Sequence, residues 1–431
     1  MHTETYIADD NATLISKNFR DLKKYLDMVS HGQISIPYLT RFKKVIINNA
    51  RSDFCVDEVK LLLSRGILQD AEAVEIKNPD DRFCTIDGML YSRNGKDLYF
   101  CARTGAVEIP DGTKTICEGA ACNCMLSELI IPDSVKHIKN FAFFGSCMLE
   151  EVKGGSGITD IEDSVFLNCV RLKKFNIGKN MKHIGDRAFA NTGLTEINLP
   201  DSLKSVGNYA FETIAIGVNE DGSNYAIEIK PEDMYEIHIP KSLKSIGHGA
   251  FASASRVYAD SFDKQLILAC KDDERTETKY KTKFCLIKIG DRPEIIVPKT
   301  VYGNVDWMAD RIYDFLHSKR DIPPALVYQY GIDGSIINNE SVLSASMEYC
   351  RRYHDADVEK FMAKNVRKIL QIGVHDLETL IEYINAGAFN DETLKQMLDM
   401  ADELFGPDAV TLKVYILNKQ NEKSETPDYT L

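Results

Sequence analysis

One two-residue phrase, usually Ala-Phe, returns through the middle of the chain four places after a branched apolar residue. The pairs are Ala120-Ala121, Ala142-Phe143, Val165-Phe166, Ala188-Phe189, Ala210-Phe211 and Ala250-Phe251, preceded by Ile116, Ile138, Ile161, Ile184, Val206 and Ile246. Successive pairs are 22, 23, 23, 22 and 40 residues apart. A fixed period in the twenties requires a stacked solenoid, because one unit of that size cannot bury its apolar side alone.

Each repeat can be read along its length. In Leu126 to Phe143, Leu129 and Ile131 alternate with outward residues, as Ile197 and Leu199 do in the copy from Leu194 to Phe211. Period-two alternation predicts one short strand per repeat. Pro132-Asp133-Ser134 and Pro200-Asp201-Ser202 then end the strand, since proline cannot donate to a ladder. A second extended piece carries Val135 and Ile138, and the Ala-Phe pair lies in a short helical or irregular arc closing the coil.

These residues resemble the BspA-like leucine-rich repeat, whose pattern runs roughly Leu-x-x-Ile-x-Ile-Pro-x-Ser-Val-x-x-Ile-Gly-x-x-Ala-Phe-x-x-Cys. Residues 126–147, 172–189, 194–211 and 234–251 fit closely. The copy at 149–169 has Gly154-Gly155-Ser156-Gly157 where the proline turn belongs, and the first copy has Ala121 in the aromatic position. Phe83–Ser92 and Asp97–Tyr99 look like the hairpin that precedes such arrays, with Asn94-Gly95 a strong turn signal. The resemblance implies a binding scaffold and leaves its partner open.

The fold class expected is α+β: a leucine-rich-repeat solenoid of about six coils, flanked by helical regions. The expected divisions are an N-terminal helical cap at 1–80, the solenoid with its hairpins at 81–300, and a C-terminal helical domain at 301–431. In the cap, Leu14, Phe19, Leu22, Tyr25 and Leu26 recur at helical spacing, 56–65 is a second helix, and Ile34–Pro37 is a connection. Leu266–Cys270 and Phe284–Ile289 read as a strand pair around a charged loop, and Ile295–Pro298 as one more strand. Helical periods follow at 306–318, 340–353, 356–371, 376–386, 391–404 and 408–418, with Gly387 as a stop and Pro407 in a first turn. Short loops between them imply antiparallel helix pairs.

With 431 residues and a net charge of −13, the chain has no basic stripe to hold a polyanion, and nucleic acid is excluded as a partner. No apolar run of membrane-spanning length occurs, so membrane insertion is not expected. Met1–Tyr6 shows no export leader, which predicts a cytoplasmic protein if Met1 is the native start. A cell-surface or secreted location is the alternative, since relatives with this repeat are often displayed outside the cell.

The 11 cysteines do not form a secreted framework. Cys117, Cys122, Cys124 and Cys147 could be read as zinc ligands, but the single residue between Cys122 and Cys124 is too few for a structural site. Cys124, Cys147 and Cys169 fit better as small apolar groups ending the arc. His137 and His183 hold one repeat position two coils apart, roughly 10 Å, too far to share a metal. Cys350 and His354 lie one helical turn apart without a third ligand, beside the aromatic Tyr349 and Tyr353. No phosphate loop, zinc-protease motif or nucleophile elbow appears. Neither a metal site, a cofactor nor catalytic residues are therefore expected.

Two features are candidates for binding. The outward strand positions form two columns, holding Glu128, Glu151, Lys174, Glu196 and Glu236 in one and Ile130, Lys153, Asn176, Asn198 and His238 in the other. The interval before the last repeat is 18 residues longer than its neighbour, giving an insertion at 212–233 with a turn around Asn219, Glu220 and Asp221 and a strand through Tyr225. A calcium loop there would begin at Gly217, which supplies no carboxylate. The function expected is a non-enzymatic scaffold binding a protein or peptide. A surface adhesin, and an enzyme sited where the solenoid meets the C-terminal helices, are the alternatives.

Overall fold

In a computed structural model of the chain, the period-two residues become the inner face of stacked parallel strands. The structure describes residues 5–8, 13–31, 42–48, 73–79, 82–101, 104–213, 216–218, 224–226, 228–229, 234–271, 279–280, 283–300, 305–326 and 340–425. Two compact units result: Met1–Tyr225 with Pro240–Ala252, and Ala226–Ile239 with Ser253–Leu431.

The first unit holds the array. One parallel sheet stacks Gly105–Glu108, Leu126–Ile131, Glu151–Gly154 and Lys174–Phe175. A second stacks Asp97–Phe100, Thr115–Ile116, His137–Ile138, Asp160–Ile161, His183–Ile184, Ser205–Val206 and Ser245–Ile246. Residues 194–199 bury Leu194 and Ile197 without joining a ladder. The hairpin of Phe83–Ile86 and Met89–Ser92 is antiparallel and leads through the Asn94-Gly95 turn into Asp97–Phe100. Gly95 sits at φ +70°, as such a turn requires.

Between the sheets the recurring side chains form rows. Ile116, Ile138, Ile161, Ile184 and Val206 are at most 2% exposed. The rings of Phe143, Phe166, Phe189 and Phe211 stack at 5.3 Å between centroids, with Phe251 at 6.2 Å closing the row. Burying each ring contributes about 1.5–3 kcal/mol, and each offset stack about 0.5–1.5 kcal/mol beyond that.

The arcs are ordered by a left-handed residue before each pair and, in four coils, a second one after it. Gly119, Phe141, Ser164, Arg187, Tyr209 and Gly249 lie at φ between 54° and 63°, and Asn123, Gly145, Asn168 and Asn191 between 53° and 68°. The reversals aim alternate amides at the next coil. Phe143 N donates to Val165 O at 3.0 Å, Phe166 N to Ala188 O at 2.8 Å and Phe189 N to Ala210 O at 2.8 Å. The arc is therefore a third ladder, although its strain falls partly on residues with a Cβ. Ser164→Gly should relieve that strain and raise stability by about 0.5–1 kcal/mol. A higher urea midpoint would show this; an unchanged one would mean that the loss of chain entropy cancels the gain. In the irregular copy, a Cβ on Gly154 (φ +78°) would stand 2.3 Å from Ile131 O, so glycine admits the close turn that replaces the proline.

N-terminal to the array, Thr5–Ile7, Thr13–Ser16, Lys44–Ile47 and Ala73–Ile76 form a four-stranded sheet, parallel after its first hairpin. Leu14, Val45 and Val74 stand in register and are fully buried. Helix α1 (Phe19–Ser30) buries Phe19, Leu22, Tyr25 and Leu26, as helical spacing predicts. Leu14 belongs instead to a strand, because Asn18 caps α1 by accepting from Asp21 N and so starts the helix after it. The strands of this segment were not expected; a parallel strand needs a crossover, and α1 supplies one. The expected helix at 56–65 and connection at 34–37 lie outside the described residues.

In the second unit, Tyr235–His238, Ala254–Ala259 and Phe284–Ile289 run parallel, and Ile295–Pro298 closes the sheet antiparallel. Leu266–Cys270 is not the predicted strand: α2 (Gln265–Cys270) is the helical crossover between two parallel strands. The helices α3 (Val305–His317), α4 (Glu340–Tyr353), α5 (Ala356–Ala363), α6 (Val366–His375), α7 (Leu377–Asn385), α8 (Asp391–Phe405) and α9 (Ala409–Glu425) follow. The single helix expected over 356–371 is two, broken at Asn365, whose side chain donates to Phe361 O at 2.9 Å. Gly387 follows α7 at φ +76°, and Pro407 opens the 3-10 turn before α9. Helices α4 to α9 share one core with Phe284, Leu286 and Ile296 of the sheet. Among the described residues no helix is long and apolar enough to cross a membrane.

Candidate functional site

Strand register sets the first candidate surface. Ala106, Glu128, Glu151 and Lys174 are successive ladder partners, and Glu108, Ile130 and Lys153 form the column beside them. Their inward neighbours Val107, Leu129 and Val152 are buried, which turns these residues outward. Lys153 Nζ lies 2.9 Å from Glu128 Oε1 and 3.5 Å from Glu151 Oε2. The hydrogen bond to Glu128 raises the lysine pKa above its ordinary value, and Glu151 adds to it. Lys174, Asn176, Glu196 and Asn198 are exposed farther along the same unit.

The structure does not keep all ten predicted residues in one ladder. Glu236 and His238 stand in the second unit, opposite Arg256 and Tyr258. Glu236 binds Arg256 at 2.5 Å and accepts from Tyr258 at 2.9 Å, while the His238 ring stacks on Tyr258 at 4.3 Å. In the insertion, Asn219, Glu220 and Asp221 lie outside the described residues. Strands Ile216–Val218 and Asn224–Ala226 pair as a two-stranded sheet, with Tyr225 in the second.

A second surface lies along the other sheet of the array. Thr115, His137, Asp160, His183, Ser205 and Ser245 are ladder partners in that order. The carboxylate of Asp160 is 3.0 Å from His137 Nδ1 and accepts from Thr159 at 2.6 Å, and His183 Nδ1 is 2.8 Å from Ser205 Oγ. Beside this row Asn140, Asp163, Asp186 and Asn208 form a ladder of their own. Each side chain accepts the backbone amide of the equivalent residue one coil on: Asp163 N at 2.9 Å, Asp186 N at 2.8 Å, Asn208 N at 2.7 Å and His248 N at 2.8 Å. His137, Asp160, Asp163, His183, Asp186 and Asn208 line an open groove of about 640 Å³ together with Lys139 and Glu162, an ion pair at 2.5 Å. The sequence carries the signal for this ladder, an Asn or Asp two places before four of the pairs. From the sequence alone those positions were assigned no role.

Other predicted positions are explained by packing. Cys124 donates to Cys101 O at 3.0 Å and Cys169 to Phe143 O at 3.2 Å; burial pushes the Cys169 thiol up to about 12. Cys350 is buried, while Tyr349 donates to Pro323 O at 2.7 Å. Among the described residues no three His, Cys, Asp or Glu side chains are placed to hold a metal ion. Where the second unit's sheet meets α4, Glu236, Arg256, Glu294, Arg352, Glu348 and Arg351 form a chain of alternating charge, with contacts of 2.5 to 2.9 Å. Each carboxylate there is matched by a guanidinium, an arrangement that fastens helix to sheet.

Parallel strands one coil apart, a buried phenylalanine row and an outward polar ladder define a leucine-rich-repeat solenoid. Residues 95–216 match the BspA type leucine rich repeat region in six copies. No curated protein matches the chain. Among solved structures, the T. pallidum leucine-rich repeat protein is similar over 42% of this chain and 85% of its own, at 21% identity and TM-score 0.27. A Bacteroides ovatus leucine-rich repeat protein is similar over 52% and 58%, at 20% identity and TM-score 0.36. The pneumococcal vaccine antigen PcpA is similar over 58% and 56%, at 16% identity and TM-score 0.33. The chain thus spans little more than half the length of the latter two.

Proposed function

We propose that the chain is a non-enzymatic interaction scaffold that holds a protein or peptide partner against the outward strand columns of the first unit. The observation that carries this reading is the exposed run Lys153, Lys174, Asn176, Glu196 and Asn198 on three successive coils. Side chains at roughly 4.8 Å intervals offer a partner a graded series of charge and hydrogen-bonding contacts. The insertion at 212–233 adds a second contact, since excess residues in an array project from one face.

Affinity capture from cell extract should return a defined partner set, with binding lowered at least about tenfold by Lys153→Glu with Lys174→Glu. Removing residues 215–232 should weaken the same interaction. Unchanged capture by the charge-reversed chain overturns the assignment of the columns, and unchanged capture by the shortened chain removes the insertion from the contact.

A further inference from the structure

A column of lysines runs along the array, immediately before each strand of its second sheet. Lys96, Lys114, Lys136, Thr159, Lys182, Lys204 and Lys244 hold this position in successive coils. The backbone fixes their register. Lys114 N donates to Lys96 O at 2.7 Å, Lys136 N to Lys114 O at 2.8 Å, Lys182 N to Thr159 O at 2.8 Å and Lys244 N to Lys204 O at 2.9 Å. Their backbones thus follow one another at roughly 4.8 Å per coil, with a single gap in the charge at Thr159. No basic stripe is visible along the chain, because neighbours in the column are 18 to 40 residues apart; stacking assembles one. Lys96, Lys114, Lys182, Lys204 and Lys244 are exposed, and among the described residues none of them makes an ion pair. Lys136 donates to a neutral carbonyl, Asp133 O, at 3.2 Å. Lys139 and Lys153, on other columns, are instead paired with Glu162 and Glu128. Like charges this close repel one another, and in a chain of net charge −13 the line is a local exception.

We propose that this column is a docking surface for an acidic polysaccharide, which lies along the stack with its anionic groups over the lysines. Charge complementarity calls for a linear polyanion. The rung spacing then selects among polyanions. An extended acidic peptide brings side chains to one face every two residues, about 6.7 Å, which does not match the rung. A pyranose linked across its ring is about one rung long, so charges on successive sugars stay in register. The neighbouring column supplies partners for sugar hydroxyls, since Thr115, His137, His183, Ser205 and Ser245 stand in it. Its acids are Asp97 and Asp160, and Asp160 is already met by His137 at 3.0 Å and Thr159 at 2.6 Å. Neither column holds a Phe, Tyr or Trp on which bases could stack, which disfavours single-stranded nucleic acid.

The test is fluorescence anisotropy of a labelled polygalacturonate oligomer, long enough to span the roughly 29 Å from Lys96 to Lys244, titrated with the full chain near neutral pH. Saturable binding that weakens as salt is raised is expected. Lys182→Gln, Lys204→Gln and Lys244→Gln together should weaken it at least about tenfold, while arginine at the same three positions preserves it. Glutamine at the exposed Lys24, Lys173 and Lys179 removes equal charge off the column and should change binding less than about twofold. A fragment of two sugars should bind far more weakly, since it meets few rungs. A heparin fragment of the same length separates sulfate from carboxylate as the group read, and binding of either polysaccharide supports the proposal. Binding of neither overturns it. So does an equal loss in the off-column variant, or binding of polyglutamate or oligothymidylate as tight as that of the polysaccharides.

Discussion

Replacing Phe166 with alanine is expected to lower the stability of the array by about 3–5 kcal/mol, the range for deleting a buried aromatic side chain. Its ring is fully buried between Phe143 and Phe189, each at 5.3 Å with interplanar angles of 3° and 15°, and Phe175 tilts against it at 5.3 Å. Alanine would leave three rings facing a gap that stacked coils can close only by shifting their arcs. Those arcs are tied through Phe143 N to Val165 O and Phe166 N to Ala188 O, which resists collapse. Phe251→Ala should cost less, because its ring has one stacked neighbour, at 6.2 Å. Since the chain has two units, region-resolved hydrogen exchange is the suitable readout. Amides of coils 142–191 should lose protection by the predicted free energy. A loss below about 1 kcal/mol would show that the row closes up after all.

The second large effect belongs to the other unit. Glu348→Ala should cost about 2–3 kcal/mol, less than breaking a fully buried ion pair because both guanidinium partners keep some exposure. The Glu348 carboxylate is 6% exposed and binds Arg351 at 2.5 Å and Arg352 at 2.6 Å. Arg352 would retain Glu294 at 2.9 Å, whereas Arg351, 40% exposed, would turn its charge to solvent at the helix surface. Glu348→Gln keeps the shape and an acceptor, so roughly half that loss is expected. Exchange in α4 and in strands 284–298 reports it. Equal losses for alanine and glutamine would assign the effect to charge alone.

The array was legible because its constraint repeats. A branched residue and an aromatic pair return at one period, and each copy supports the reading of the others. The first sheet followed from the alternation at Leu129/Ile131, and the glycine run at 154–157 was readable as a turn. What escaped was set by neighbours in space. The left-handed residue before a pair is glycine in the first and last copies but Phe141, Ser164, Arg187 or Tyr209 in the four between, with no side chain in common, because the coil geometry imposes that conformation on whatever stands there. Leu266–Cys270 is an apolar run too short for periodicity to separate strand from helix, and parallel pairing on both sides decided for the helix. The binding columns could be named from register, but their division at Glu236 and His238 depends on where the chain parts into units.

The two kinds of coil-to-coil bond run in opposite senses. In the arc each coil's amides reach forward, as Phe189 N to Ala210 O; beside the second sheet they reach back, as Lys204 N to Lys182 O at 2.8 Å. The array therefore has a direction, although its coils are near copies. It also has a grammar of lengthening. A whole period can be duplicated without losing a bond of either kind, and extra residues can be carried between fixed contacts at no cost to the ladder. The 40-residue step already shows this, since Phe211 N still meets Ala250 O at 3.1 Å and Gly247 N still meets Val206 O at 2.8 Å. Such a scaffold can acquire new surface by accretion while the coil that bears it stays the same.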